Sequence, residues 1–348
     1  MKNSTKTFFN PSSNFPCTAM VSALKRVIVA GFWNTVKMLI LTTLYTSISS
    51  AQQFDSPITV RTDQPQLLVT MIEDAMAGKG SNHIKILPAL NGDTTMIIDD
   101  DYMDTQTAFP TISLPLMISA DRDSNVRIIL NSGASKAVNG GERNFNAFYV
   151  IANAVLYLQY ISLESFVSNG NGGAISAAEN AIIYLLGVTL YNNFSFFEGG
   201  AIFLLGNAKL FAMNSTFEGN QSTGVGGFIS IRGKATAFIF LSIIVNNLGL
   251  PFGCDFNVNS NPLAGLFALT LIASTMISDC PNVLIENPLG PIFLLMNVFY
   301  GEGNLLDSTA LAWFFANIIH LIANSNKATT AETRAVCNDF GTNSIKSL

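Results

Sequence analysis

The residues that could carry out chemistry are few in this sequence of 348 residues. The one dense acidic group is Asp99, Asp100, Asp101 and Asp104, whose carboxylate oxygens could bind Ca²⁺. Contiguous aspartates lack the alternating spacing of a dedicated calcium loop, so the sequence favours a solvated turn between strands. The segment Asp121-Arg122-Asp123 is interpreted in the same way. We therefore predict no metal ion and no other cofactor.

Acid–base or nucleophilic catalysis has equally little support. His83 and His320 stand far apart in the sequence, and no Gly-x-Ser-x-Gly elbow accompanies them. The acidic residues between positions 146 and 253 are Glu164, Glu179, Glu198 and Glu218. A site that cleaves acidic polysaccharides needs convergent carboxylates, usually with a basic partner for the substrate charge. The sequence therefore predicts no catalytic residue.

A 27-residue repeat sets the positions of these groups in the fold. Glycine pairs begin at Gly172, Gly199 and Gly226, and a short β-prone segment follows each pair. Such pairs supply the tight or left-handed bends that other residues resist. The constant spacing predicts that each repeat makes the same bend at the same place.

Asparagine and apolar residues keep the same period. The asparagines are Asn193, Asn220 and Asn247. The apolar columns are Leu163-Leu190-Phe217-Ile244-Leu271, Phe148-Ile175-Ile202-Ile229-Phe256 and Tyr157-Tyr184-Phe211-Phe238. In a solenoid every position lies on its own kind in the next coil, about 4.8 Å away. We therefore predict an all-β, single-stranded, right-handed parallel β-helix of 27-residue coils, with apolar columns filling the interior and asparagines hydrogen-bonding along the axis.

A leucine-rich repeat is the alternative solenoid, because its period of about 20–29 residues includes the one found here. Leu185, Val188 and Leu190 fit its spacing in one coil. The next coil, however, places Ala212 and Ser215 at positions that such a repeat would bury, and no helical pattern follows. The sequence therefore favours the β-helix.

Cysteine and asparagine motifs depend on this stacking. Cys254 and Cys280 are almost one coil apart, so their Cα atoms would approach to roughly 5 Å, within disulfide range. A disulfide and two buried thiols remain equally open. Asn193-Phe-Ser, Asn214-Ser-Thr and Asn220-Gln-Ser match the N-glycosylation pattern. An inward-facing asparagine row would exclude glycans at Asn193 and Asn220, so we interpret these two residues as structural.

Two resemblances follow from these segments. The stretches Asn-Gly-Asn-Gly-Gly-Ala-Ile at 169–175, Phe-Glu-Gly-Gly-Ala-Ile at 197–202 and Asn-Ser-Thr-Phe-Glu-Gly-Asn at 214–220 resemble the repeats of polymorphic outer-membrane proteins and related secreted β-helix proteins. The first half of the chain resembles exported β-helix proteins named for a Cys-Ser-Leu-Arg-Glu-Ala motif. Here 67–75 occupies the position of their cap helix, and Phe109-Pro110-Thr111-Ile112 occupies that of their Leu-Pro-x-Ile element, although the helix lacks the Cys and Arg. The resemblances imply a secreted or surface scaffold.

The ends of a β-helix need covers, because an open sheet edge pairs with other chains. Leu68, Ile72, Ala75 and Met76 recur at helical spacing, with Asp63 and Gln66 resembling a capping box and Gly78 stopping the helix. We predict four parts. They are a leader at 1–51, an N-terminal cap with first irregular coils at 52–140, the regular β-helix at 141–285, and a C-terminal cap and tail at 286–348.

Composition and charge bound the function. Residues 1–51 carry five basic and no acidic residues, and Met38 to Leu44 form a mainly apolar run ahead of Ser49 and Ala51, which indicates an exported chain cleaved near Ala51. A start further downstream or an uncleaved anchor is the alternative, because the stretch ahead of the apolar run is long for a signal peptide. The remaining chain has 13 basic and 23 acidic residues, which argues against a nucleic-acid partner. No later apolar run reaches the roughly 20 residues of a spanning helix. We predict a secreted or cell-surface protein, extracellular or on an outer membrane, that binds surface glycans or proteins in the manner of an adhesin. An extracellular polysaccharide lyase or hydrolase is the alternative.

Overall fold

A computed structural model describes residues 54–99, 107–131, 145–249 and 253–260, followed by shorter segments that end at residue 321. The shorter segments are 269–272, 274–278, 283–286, 292–295, 298–301, 304–306, 312–315 and 318–321. All of them belong to one compact unit, Phe54–Asn326. The predicted leader lies outside the described residues.

The described chain begins with a strand and a helix. Strand β1 (Ile58–Arg61) leads into helix α1 (Pro65–Met76), which buries one face on the core. The predicted capping box is wrong, because the N-cap is Gln64 and no side chain caps the helix. Pro65 sets the start instead, since its ring fixes φ at a helical value and it has no N–H to satisfy.

Strands form the rest of the described chain. The next group is β2 (His83–Leu87), β3 (Thr95–Ile98), β4 (Leu116–Ala120), β5 (Val126–Leu130), β6 (Phe148–Val150), β7 (Val155–Gln159), β8 (Ile161–Glu164), β9 (Val167–Ser168) and β10 (Ile175–Ala177). The middle group is β11 (Ile182–Leu186), β12 (Thr189–Tyr191), β13 (Phe194–Ser195), β14 (Ile202–Leu204), β15 (Lys209–Met213), β16 (Thr216–Glu218), β17 (Gln221–Ser222), β18 (Ile229–Gly233), β19 (Thr236–Phe240), β20 (Ile243–Val245) and β21 (Leu248–Gly249). The last group is β22 (Gly253–Ser260), β23 (Leu269–Ile272), β24 (Thr275–Ser278), β25 (Val283–Glu286), β26 (Ile292–Leu295), β27 (Val298–Gly301), β28 (Asn304–Leu306), β29 (Ala312–Phe315) and β30 (Ile318–Leu321).

These strands stack into long parallel sheets, so the chain is a parallel β-helix solenoid as predicted. Sheet A runs β1-β2-β4-β7-β11-β15-β19-β23-β26-β29, and sheet B runs β3-β5-β8-β12-β16-β20-β24-β27-β30. Sheet C runs β6-β10-β14-β18-β22-β25-β28, and the short sheet D runs β9-β13-β17-β21. Each coil of the regular region passes through sheets A, B, D and C in turn.

The 27-residue register is confirmed from Phe148 to Phe256. Ile175 pairs with Phe148 on one side and Ile202 on the other, and the row continues through Ile229 to Phe256. All five side chains are buried with no exposed surface. Stacking of equal residues at equal positions therefore builds one continuous apolar core, as a solenoid requires.

The aromatic column Tyr157-Tyr184-Phe211-Phe238 differs from the prediction that it fills the interior. Its rings are half-exposed, whereas the flanking Leu156 and Leu158 are fully buried. Side chains alternate between the two faces of a strand, so the leucines point inward and the aromatic rings outward. The rings stack on one another, with centroids 5.1 Å apart for Tyr184 and Phe211. Burial in this stack raises the pKa of Tyr157 and Tyr184.

At three corners of the regular coils, the residues of successive coils form rows with left-handed backbone. One row is Tyr160, Gly187, Asn214 and Leu241, with φ between 50° and 62°. A second row is Ser165, Asn192, Gly219 and Asn246, and a third is Ala152, Glu179, Gly206 and Gly233. Only glycine adopts this conformation without strain. The corner geometry is therefore set by the stacked coils rather than by the residue at each corner.

Beyond the regular coils the period changes while the sheets continue. In sheet A the paired residues are Phe238 with Thr270, then Phe293, then Trp313, so the first step is longer than a regular coil and the next two are shorter. The described part of the predicted C-terminal cap therefore consists of further, shorter coils. Leu271 also leaves its predicted column, because it pairs with Ile239 while Ile244 pairs with Met276. A search at one fixed period cannot detect coils of changing length.

Candidate functional site

The asparagine row lies inside the coils. Asn193 and Asn220 have no exposed surface, and Asn247 has 2%. The side-chain Nδ2 of Asn220 donates to Leu190 O at 3.0 Å and to Asn247 Oδ1 at 2.8 Å. Its Oδ1 accepts from Nδ2 and from the main-chain N of Asn193. Each buried amide is thus satisfied by the neighbouring coil, which is the condition for burying it without a large penalty.

The glycine pairs lie where the main chain packs closely on its own coil and on the neighbouring coil. Gly172, Gly199 and Gly226 have φ of 76°, 66° and 73°. A Cβ on Gly199 would overlap the carbonyl oxygen of Ile202, and one on Gly200 would overlap that of Gly227. These are main-chain atoms that cannot rotate away. Glycine is therefore required at both positions of the pair.

A second row of asparagine, which the sequence analysis missed, runs along the outside. Asn180 Nδ2 donates to Asn153 Oδ1 at 3.1 Å, and Asn207 Nδ2 donates to Asn180 Oδ1 at 2.9 Å. All three residues are exposed. Their spacing is the same as that of the inner row, so a complete search of the period would have found them.

One glutamate on sheet B is held in an ion pair. Arg127 donates bidentately to Glu164, with Nε to Oε1 at 2.8 Å, and Ser162 donates to the same Oε1 at 2.7 Å. Burial alone would raise the pKa of Glu164, but the hydrogen bonds and the charge of Arg127 outweigh it, so the pKa is lowered. The carboxylate therefore stays ionised and structural.

A second glutamate is paired beside sheet C. Arg232 donates through Nε and Nη2 to Glu198, and the Ser230 hydroxyl donates to Glu198 Oε2 at 2.9 Å. Asn257 Nδ2 donates in turn to the Ser230 hydroxyl oxygen at 2.9 Å. This network ties adjacent coils together. Its carboxylate is fully engaged, so it is not available as a general acid or base in this arrangement.

His83 meets a serine that the sequence did not connect with it. His83 Nε2 lies 3.0 Å from Ser119 Oγ, and the ring packs edge-on against Phe54 with centroids 6.5 Å apart. Burial and the nearby charge of Lys85 lower the pKa of His83, against a hydrogen bond with the Asp55 main chain that favours the charged form. Ser119 is only 5% exposed, and the third partner is a main-chain group rather than a carboxylate. The pair lacks the oriented acid of a triad.

The predicted metal and disulfide candidates are described only in part. Asp99 is exposed and its Oδ1 accepts from Asn131 Nδ2 at 2.8 Å, while Asp100, Asp101 and Asp104 lie outside the described residues. Asp121 forms an ion pair with Lys85 at 2.7 Å. Within the described ranges, no group of three His, Cys, Asp or Glu side chains is placed to hold a metal ion. The side chain of Cys254, the whole of Cys280 and the side chain of His320 lie outside the described part.

Four aromatic residues follow closely on one another in the coil that contains β12 and β13, and we call them the aromatic corner: Tyr191, Phe194, Phe196 and Phe197. Tyr191 is 36% exposed, Phe196 43% and Phe197 59%. Phe194 and Phe196 meet edge to face with centroids 4.9 Å apart. Ser195 between them is fully buried and donates to Gly170 O at 2.7 Å, which turns both neighbours outward.

The main chain of the aromatic corner is fixed by the coils on both sides. Phe194 N donates to Phe166 O and Phe196 N donates to Ser168 O on the preceding coil, while Gly224 N of the following coil donates to Phe197 O. The rings therefore project from a backbone that cannot move independently.

No protein-family model matches this chain, and searches of curated proteins and of solved structures give no significant match. In the part of the chain that the structure describes, no helix has the length and apolar character needed to span a membrane. The arguments for function therefore rest on the geometry of the described coils and on the sequence patterns above.

Proposed function

We propose that this chain is an exported scaffold that binds glycans or proteins at a cell surface or in the medium and catalyses no reaction. The aromatic corner carries the proposal. Exposed apolar side chains that lie next to one another on a protein surface usually mark an interaction site. Aromatic rings are also the side chains that most often dominate binding energy.

The rigidity of the corner supports a binding role. Phe196 and Phe197 lose little conformational freedom when a partner covers them, because hydrogen bonds to neighbouring coils already fix their backbone. The exposed, uncharged Gln221 pairs with Phe194 and the exposed Asn192 follows Tyr191, while Glu164 and Glu218 occupy the position of Tyr191 in the two neighbouring coils. Apolar rings beside amides suit the apolar ring faces and hydroxyl groups of a sugar.

The pairing of Glu164 and Glu198 with arginine supports the absence of catalysis. Hydrolysis of a glycosidic bond needs two carboxyl groups facing one another across the substrate. Glu164 lies on β8 of sheet B and Glu198 precedes a glycine pair at the entry to sheet C, and an arginine engages both oxygens of each.

Binding to a glycan array by the purified full chain tests the proposal. We expect binding to at least one glycan class, and a loss of about tenfold or more when Phe196→Ser and Phe197→Ser are combined. Leu90→Ser is the matched control, because Leu90 is 84% exposed in a separate turn and its loss should leave binding unchanged.

Two results would count against the proposal. Binding that is unaffected by the double substitution would remove the aromatic corner from the site. Cleavage of a uronate polymer by the purified chain would replace the scaffold role with that of a carbohydrate-active enzyme.

A further inference from the structure

The three sequence motifs for N-glycosylation differ sharply in their surroundings. Asn193 and Asn220 belong to the inner row and have no exposed surface. Both hydrogens of Asn193 Nδ2 are used, toward Leu163 O at 3.1 Å and Asn220 Oδ1 at 2.9 Å. A sugar on that nitrogen would replace one hydrogen and would have to occupy the packed core. A folded coil therefore excludes glycans at these two positions.

Asn214 has the opposite surroundings. It is exposed at the corner between β15 and β16, with φ of 51°, a conformation that asparagine tolerates better than most residues. Its main-chain N donates to Phe240 O at 3.0 Å, which fixes the corner while the side chain remains at the surface. Ser215 points inward and is 2% exposed, and Thr216 is half-exposed on β16. The fold thus leaves the Asn and Thr of this motif on its outside.

We infer that Asn214 is an acceptor for N-linked oligosaccharide when the chain enters a secretory compartment that holds an oligosaccharyltransferase. The new bond joins Asn214 Nδ2 to the anomeric carbon of a lipid diphosphate-linked oligosaccharide. The bond from that carbon to the diphosphate oxygen breaks, and one amide proton leaves as the lipid diphosphate departs. The inference depends on entry into such a compartment and is independent of the proposed binding role.

Folding selects between the three motifs. Oligosaccharide transfer acts on the chain before it folds, when Asn193 and Asn220 are also accessible. A chain modified at either of them cannot form the inner row, so it cannot contribute to folded product. Folded, secreted protein should therefore carry a glycan at Asn214 and at neither of the other two.

Secretion of the full chain from cultured eukaryotic cells, behind an added cleavable signal sequence, tests this inference. The added signal makes the test independent of the chain's own leader. Folded monomer is isolated, N-glycans are released with an amidase that converts the modified Asn to Asp, and peptides are mapped by mass spectrometry. We expect conversion at Asn214 in most molecules and none at Asn193 or Asn220.

Matched variants separate the motif from the fold. Asn214→Asp and Thr216→Val should each reduce occupancy at least tenfold, whereas Thr216→Ser should keep it. Aspartate suits the left-handed corner and valine suits the strand, so failure of one variant to fold leaves the other to decide. Folded wild-type protein without a glycan at Asn214, or with one at Asn193 or Asn220, would overturn the inference.

Discussion

The regular coils carry two rows of asparagine with the same 27-residue spacing and opposite surroundings. In the inner row, Asn220 is fully buried and holds four hydrogen bonds to neighbouring coils. In the outer row, Asn180 is exposed and bonds only to its own kind through its side chain. Water can replace every bond of the outer row and none of the inner row. Spacing identifies a stacked residue, but burial decides whether the fold depends on it.

A similar contrast holds for glycine, between a position packed against the main chain of the next coil and a position with more room. Gly200→Ala should destabilise the fold most, by about 3 kcal/mol, because its Cβ would overlap main-chain atoms of Gly227 and Gln221 on the next coil. In Gly170→Ala the Cβ would lie 3.6 Å from Ser168 Oγ, an ordinary contact, and stability should change by less than about 0.5 kcal/mol. Urea denaturation of both variants measures the difference. Equal stability of the two would contradict close coil packing at the glycine pair.

The asparagine rows themselves give the next largest effect. Asn220→Ala should cost about 2 to 3 kcal/mol, because Leu190 O, Asn247 Oδ1 and the Asn193 amide groups lose buried partners. Asn180→Ala removes the equivalent residue of the outer row and should cost less than about 0.5 kcal/mol. Thermal unfolding of the two variants compares them directly. A similar loss of stability in both variants would show that burial does not determine how much an asparagine row contributes to stability.

Carboxylates on sheet B provide a smaller effect that depends on pH. The pKa of Glu164 is lowered below its ordinary value of 4.5, so its contribution to stability is complete above pH 4.5 and is lost as the pH falls through the lowered pKa. Glu164→Gln should cost about 1 kcal/mol at pH 7 and flatten the acid limb of the stability profile. Glu218 is exposed two coils further along the same row, so Glu218→Gln should change the free energy of unfolding at pH 7 by less than about 0.5 kcal/mol. Urea midpoints measured between pH 3 and pH 7 give the stability profile of each variant. An unaltered acid limb in Glu164→Gln would contradict the pairing.

The smallest expected effect is a gain in stability. Glu179 is exposed with φ of 60°, and Gly206 and Gly233 occupy the same corner in the following coils. Glu179→Gly should therefore stabilise the fold by about 0.5 to 1 kcal/mol, since it relieves left-handed strain without losing a buried contact. Glu218→Gly, on an exposed strand position with ordinary φ, should destabilise by a similar amount. A loss of stability in Glu179→Gly, measured by thermal unfolding, would contradict strain at that corner.

Identical residues at fixed intervals made much of the fold predictable. The row through Ile175, Ile202 and Ile229 and the buried asparagines follow from types that only a stacked interior would repeat. Left-handed backbone at the glycine pairs was predicted, but the three other corner rows were not, because residues such as Tyr160, Gly187 and Leu241 share a conformation and no chemistry. The outward direction of Tyr184 was not predicted, because large aromatic side chains are common in protein cores and their column was therefore expected to face inward.

Changing coil lengths explain what else was missed. Arg127 and its partner Glu164 are separated by more than one regular coil, and the coils between 292 and 321 are shorter than the regular ones. His83 and Ser119 are 36 residues apart, a spacing that the 27-residue period does not predict. The aromatic corner was visible as Phe194-Ser-Phe-Phe, but only strand alternation in three dimensions shows that its rings stand outside.

Disulfide trapping across adjacent coils tests the stacked register most directly. Thr216 pairs with Thr189 on one side and Ile243 on the other, so neighbouring Cα atoms should lie about 4.8 Å apart and Thr189 and Ile243 about 10 Å apart. Under mild oxidation, Thr189→Cys with Thr216→Cys and Thr216→Cys with Ile243→Cys should each form the bridge, as identified by peptide mass spectrometry. Thr189→Cys with Ile243→Cys should form none. Bridging in this last variant, or its absence in both adjacent pairs, would contradict the 27-residue coil.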